Sequence, residues 1–320
     1  MDSIDSNEKL LAMPPITVDA EQGLTRFAET VQRTGARTAR RAMPPFLLAR
    51  PAKWLAAAAA VVIVATTLTM TGVADSILQI FEAKQFAAVT VTTTDLQTLG
   101  ELAQFGTLTW SPKPDPHQVA SLAAATAETG LPAISITLPA SVTAAARYGV
   151  VPRTTATFVF DAGLARTSAA AIGRTAPPMP AKLDGSTLVF TGGPAILVTY
   201  GTESQGSGML VVAVSKAPTV GSDGASVSEI QAYLLSQPSV SPALAAQIRA
   251  IGDPASTLPI PIPVGQAAAK TVSVHGTNGL FIGDSTGLGS GVLWQQNGLV
   301  YLVGGTLTEA ETLAIANSLR

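Results

Sequence analysis

The 21 residues Trp54–Ala74 carry no charge, and this run constrains the chain more than any other feature. About 20 apolar residues in a helix cross about 30 Å of hydrocarbon, so the run predicts one transmembrane helix over 54–74. Thr66, Thr67, Thr69 and Thr71 fit such a helix because their hydroxyls bond back to the preceding turn. Trp54 suits the headgroup level. Arg33, Arg37, Arg40, Arg41, Arg50 and Lys53 precede the run, whereas Asp75, Glu82 and Lys84 follow it. The positive flank stays inside. The sequence therefore predicts a cytoplasmic tail over 1–53, a single-pass anchor in the cell membrane, and residues 75–320 outside. Gly72 and Ala74 stand at the −3 and −1 positions of a signal-peptidase cut, so cleavage after Ala74 is the alternative.

Charged residues make up 12% of the chain, against roughly 25% in average soluble proteins. One apolar run does not account for that deficit, so the remaining surface must be rich in Ser, Thr, Gly and Ala. There is no cysteine, which excludes disulfides and thiolate zinc sites. A formal net charge of −2 argues against direct nucleic-acid binding.

In the tail, Asp19 caps a predicted helix in which Leu24, Phe27 and Val31 recur at helical spacing. These three are the candidate partner-binding residues. Beyond the apolar run, "SILQIFEAKQF" continues as helix and "AAVTVT" reads as a strand. "DPHQVASLAAATAETG" reads as a helix with Asp115 as its cap. "TTATFVFD" is a strand, and "STLVFTGGPAILVTYG" (186–201) reads as a hairpin turning at Gly192–Gly193. Residues 226–252 read as a helical insertion, two helices broken at Pro238, with Ser226 and Glu229 forming a capping box. The C-terminal stretch reads as strand, strand, hairpin and closing helix. Asn297–Gly298 makes the hairpin turn, and Thr308 with Glu311 caps the helix. Strands in series with helices between and after them predict an α+β domain with a mainly antiparallel sheet.

"LFIGDSTGLGSG" (280–291) carries the strongest look of chemistry. Gly283-Asp284-Ser285-Thr286-Gly287 has the G-x-S-x-G spacing and also looks like the Gly-Asp-Ser block of a lipase and esterase family. A serine nucleophile needs a histidine to take its proton. None follows Ser285, and His275 lies upstream. The stretch leads into another strand, so a glycine-rich loop is the simpler reading. His117 and His275 have no neighbours at metal-ligand spacing. Asp161, Asp184 and Asp284 show no pattern that would pair them. No catalytic residue, cofactor or metal ligand is assigned.

"GSGVLWQQNGLVYLVGGTLTEAETLAIANSLR" at the C-terminus and "SILQIFEAKQFAAVTVT" after the apolar run resemble a bacterial extracytoplasmic domain of unknown function. That domain occurs in membrane-anchored, anti-sigma-factor-like proteins and is distantly similar to the curled sheet of LolA/RseB proteins. The resemblance implies a curled antiparallel sheet with flanking helices, and a cytoplasmic partner such as a sigma factor. The zinc-type anti-sigma pattern of His and Cys is missing from this cysteine-free chain. The combined expectation is a single-pass protein in the lipid bilayer, with a non-catalytic extracytoplasmic sensing or binding domain and an anti-sigma-factor-like signalling role. The alternative is an anchored module that binds a lipid, peptide or cell-wall ligand without signalling. Its candidate groove is lined by Phe158, Val189 and Trp294.

Overall fold

The computed structural model describes residues 77–99, 102–140, 142, 145–171, 173–201 and 209–320. Of these, 41% are strand and 23% helix, and the pairing is mostly antiparallel. Five strands, β1 (Leu78–Glu82), β3 (Gly106–Trp110), β6 (Thr154–Phe160), β7 (Thr187–Gly192) and β10 (Thr219–Ser222), form one sheet in the order β1-β10-β7-β6-β3. Eight others form the second sheet: β4 (His117–Val119), β5 (Ala146–Val151), β8 (Ala195–Tyr200), β9 (Leu210–Lys216), β12 (Ala267–Val274), β13 (Thr277–Asp284), β14 (Ser290–Gln296) and β15 (Leu299–Gly305). Their order is β12-β13-β14-β15-β9-β8-β5-β4. A parallel ribbon of β2 (Gln85–Val91) and β11 (Thr257–Pro263) completes the strands. The helices are α1 (Thr93–Leu99), α2 (Leu122–Thr129), α3 (Ala162–Ala171), α4 (Val227–Leu235), α5 (Pro242–Arg249) and α6 (Glu309–Ser318), with a 3₁₀ turn at Leu102–Phe105.

The expected α+β class with a transmembrane helix is corrected to this sheet-dominated fold. Among the described residues no helix is long and apolar enough to cross a membrane. The run 54–74 itself lies outside the described residues. The "SILQIFEAKQF" helix is also corrected. Apolar residues at helical spacing suggested it, yet β1 and β2 occupy the stretch, paired to β10 and β11. Asp115 does not cap a helix. His117–Val119 is strand, and α2 is capped by Ser121, whose Oγ accepts from the Ala124 N–H at 3.1 Å.

The C-terminal hairpins follow from local chemistry. Asn297 and Gly298 have φ of 54° and 76°, and His275 and Gly276 have 48° and 76°. Two consecutive residues with positive φ make the tight turn whose twist matches that of antiparallel strands. Alternation then buries both faces of β14. Val292 and Trp294 point to one core, with Ile315 and Ala316 of α6 and Ala125 of α2. Leu293 points to the other, against Ile260 and Ile262 of the ribbon. The capping boxes at Ser226–Glu229 and Thr308–Glu311 both form.

The stretch 186–201 is not a hairpin. β7 pairs with β6 and β10, whereas β8 pairs with β5 and β9. The chain runs from one sheet into the other across Gly193–Pro194. It does the same from β5 to β6 at Pro152 and from β9 to β10 at Pro218. Proline has no N–H to give a ladder, so all three prolines sit where the ladder is interrupted. Three strand pairs thus carry the backbone through both sheets.

Candidate ligand site

The five-stranded sheet has one apolar face. The register places Trp110, Ala156 and Phe190 in one row, and Leu108, Phe158 and Leu188 in the next. Paired residues of an antiparallel ladder share a face. Phe160 and Leu183 join the buried cluster, with Phe105, Met179 and Ile230 packed against it. Helix α4 lies over this face and contributes Tyr233.

Helix α4 is held in place at its start. The Ser226 N–H and Oγ both donate to Glu229 Oε2, at 2.9 and 2.8 Å, and Lys182 Nζ lies 3.3 Å from Glu229 Oε1. The Ser226 N–H, then its hydroxyl, then Lys182 hold the Glu229 carboxyl down at about 2, from an ordinary 4.5. A depressed carboxyl contributes stability above its unfolded value and loses it as pH falls through the folded one. The urea midpoint of Glu229→Ala is therefore expected below that of the native chain near neutral pH. The gap should close as pH falls from about 4.5 to about 2, and parallel unfolding curves would show it.

Tyr233 is 3% exposed and meets the Phe105 ring edge to face at 5.9 Å. Phe158 and Phe160 pack edge to face at 4.8 Å beside it. The Tyr233 hydroxyl is buried with no hydrogen-bond partner. Burial pushes the phenol above its ordinary range, and the Gln237 side chain, near the hydroxyl but outside hydrogen-bond geometry, opposes this in part. The Gln237 Nε2 donates to the Tyr233 carbonyl at 3.0 Å. An unpartnered buried hydroxyl costs roughly 1–3 kcal/mol. At the outer strand, Leu108 is 42% exposed although it shares a row with Phe158. The apolar face is therefore open along β3.

Of the three groove residues expected from sequence, only Phe158 belongs to this cluster. Val189 is in register with Thr157 and Gly221, on the opposite face. Trp294 belongs to the eight-stranded sheet, fully buried and stacked on Tyr301 at 5.2 Å. The structure does not bring the three together. Leu24, Phe27 and Val31 lie outside the described residues. Sequence reading missed Phe105, Leu108 and Tyr233. The stripe Ile230, Tyr233, Leu234 was a helical signal for burial, but the unpartnered hydroxyl has no sequence signature.

The hydrolase motif does not assemble. Ser285 and His275 stand at opposite ends of the eight-residue β13, about 25 Å apart at roughly 3.4 Å per residue. The His275 ring Nε2 donates to the Ala316 carbonyl at 3.0 Å. Asp284 accepts from the Thr286 hydroxyl and the Thr286 and Leu288 N–H groups, closing the loop on itself. Asp161 and Asp184 accept from the Leu164 and Ala162 N–H groups at the start of α3, so both serve as caps. His117 holds the Asp115 carbonyl at 2.9 Å and Glu128. Those contacts, the carbonyl first, raise its pKa. Among the described residues no three His, Cys, Asp or Glu stand close enough to share a metal ion.

No protein-family model, curated protein or solved structure matches the chain, and nothing among the described residues supports the signalling or anti-sigma-factor terms.

Proposed function

We propose that this protein is a non-catalytic binding module whose ligand is an apolar molecule bearing one hydrogen-bond acceptor. The ligand lies against the apolar face of the five-stranded sheet, entering along β3 past Leu108. The observation that carries this reading is the unpartnered Tyr233 hydroxyl inside an aromatic cluster. A buried donor of this kind is either a standing cost or half of a contact completed by something else. Phe105, Phe158 and Phe160 supply the apolar surface, and the hydroxyl supplies the orientation, which is the usual division of labour in a small-molecule site.

The test uses cis-parinaric acid, whose fluorescence rises in apolar surroundings. The native chain is expected to bind it. Tyr233→Phe keeps the ring and removes the donor, so its affinity should fall about 3- to 10-fold, the worth of one hydrogen bond. The same substitution should raise the stability of the ligand-free chain by about 1 kcal/mol, because it removes an unsatisfied group. A native chain that leaves the probe dark, or a Tyr233→Phe chain that binds it equally well, overturns the reading.

A further inference from the structure

Among the described residues the sheet edges are guarded, with one exception. β11 reads TLPIPIP, and Pro259, Pro261 and Pro263 are in register with Ala87, Val89 and Val91. Alternate residues of a strand aim their backbone groups at the same edge, so the three prolines strip the outer edge of β11 of N–H donors. On the outer edge of β2, Gln247 of α5 takes the place of a strand. Its Oε1 accepts from the Thr90 N–H at 2.8 Å and its Nε2 donates to the Thr90 carbonyl at 3.0 Å. β4 has three residues, and β1 is interrupted by a bulge between Gln79 and Phe81. β3 has five residues and runs into Ser111–Pro112. Such devices block strand addition.

β12 has none of them. It runs for eight residues in unbroken register with β13, without proline. The Ser285 N–H donates to the Gln266 carbonyl at 3.1 Å, which fixes the phase of the ladder. Even-numbered residues of β12 bond inward to β13, and Ala267, Ala269, Thr271 and Ser273 present their N–H and C=O groups outward. Their side chains are small. The one charge of the strand, Lys270, is turned onto its own sheet, 2.8 Å from Glu309 Oε2 and over the Phe281 ring at 5.5 Å.

We propose that this edge pairs with β12 of a second copy, antiparallel about a two-fold axis at Thr271, joining the two eight-stranded sheets. The sequence of the edge complements itself in this register. Thr271 meets its own copy, Ala269 meets Ser273, and Lys270 meets Val272, so no like charges stand opposite. Threonine across from threonine is a favourable cross-strand pair. With 19 basic and 21 acidic residues, two copies repel one another little.

The absence of cysteine from the chain makes the test direct. Outward residues facing each other in the new ladder would stand about 5.5 Å apart at Cα, within the reach of a disulfide. Under mild oxidation, full-length Thr271→Cys is expected to give at least about tenfold more covalent dimer than Thr286→Cys, whose site is an exposed loop far along the sheet. In a separate cysteine-free chain, Thr271→Pro removes only an outward N–H. It should sediment as a smaller species than the native chain while keeping its near-ultraviolet circular dichroism. Thr271→Lys should do the same by charge if the proline variant misfolds. Equal cross-linking of the two cysteine variants, or a Thr271→Cys chain that stays uncross-linked, overturns the proposal. So does a native chain that sediments no faster than a folded Thr271→Pro or Thr271→Lys variant.

Discussion

Trp294→Ala is expected to lose about 3–5 kcal/mol of stability, the usual range for a large aromatic removed from a packed core. The indole is fully buried. It lies parallel to the Tyr301 ring, with an interplanar angle of 15°, and the two residues are direct cross-strand partners. On its other side stands Gly279, also in register, where an added Cβ would lie 3.3 Å from the Trp294 Cβ. The row is thus built around one large ring with a missing side chain beside it. Removing the ring leaves a void beside Tyr301 and Gly279, whose backbones are held in ladders and cannot collapse inward. A typical domain has about 5–15 kcal/mol to lose, so the variant should stand near its folding limit. Urea unfolding followed by far-ultraviolet circular dichroism measures the loss without depending on the deleted fluorophore. A loss under about 1 kcal/mol would show that the ring does not hold the core.

Gly305→Ala is the second large effect, and its cause is the reverse. Here matter is added where there is no room. A Cβ at Gly305 would fall on the Met209 carbonyl oxygen, with Leu210 Cα beside it. Both belong to backbone, so no side chain can swing aside. Met209 and Thr306 are further tied by hydrogen bonds, Met209 N–H to Thr306 Oγ1 at 2.7 Å and Thr306 N–H to the Met209 carbonyl at 2.9 Å among them. The methyl group must push β15 from β9 in the middle of the eight-stranded sheet. The expected cost is about 3 kcal/mol, at the upper end for overpacking, again read from the urea midpoint. Gly130→Ala is the natural contrast. That residue closes α2 with φ of 67° and nothing near its missing Cβ, so it should cost only about 1 kcal/mol of backbone strain.

The parts of the fold that could be read from sequence are those decided within a few residues. Asn297–Gly298 and the Ser226 and Thr308 caps each carry their own cause. The parts that could not be read are decided by partners far along the chain. "STLVFTGGPAILVTYG" has the alternation and glycines of a hairpin. Its first half is nonetheless claimed by β6 and β10, and its second by β5 and β9. "SILQIFEAKQF" has helical spacing, yet β10 and β11 offer its backbone better-ordered ladders than an isolated turn of helix would. Phe158 lies in an apolar strand, and register turns it into the aromatic cluster. Val189 was assigned to the same groove, although register turns it to the other face. A one-residue difference in phase decides which side of a sheet a side chain sees, and phase is not written in a single strand.

The parallel ribbon sets a timetable for synthesis. Gln85 and Thr257 are joined side chain to side chain across 172 positions, and among the described residues β2 pairs with no strand but β11. At about 5–20 residues per second, a ribosome would make β11 roughly 10–30 s after β2. For that interval Val89 and Val91, which end up buried under α5, have no partner strand. The nascent segment therefore waits with its apolar side uncovered until β11 has been made.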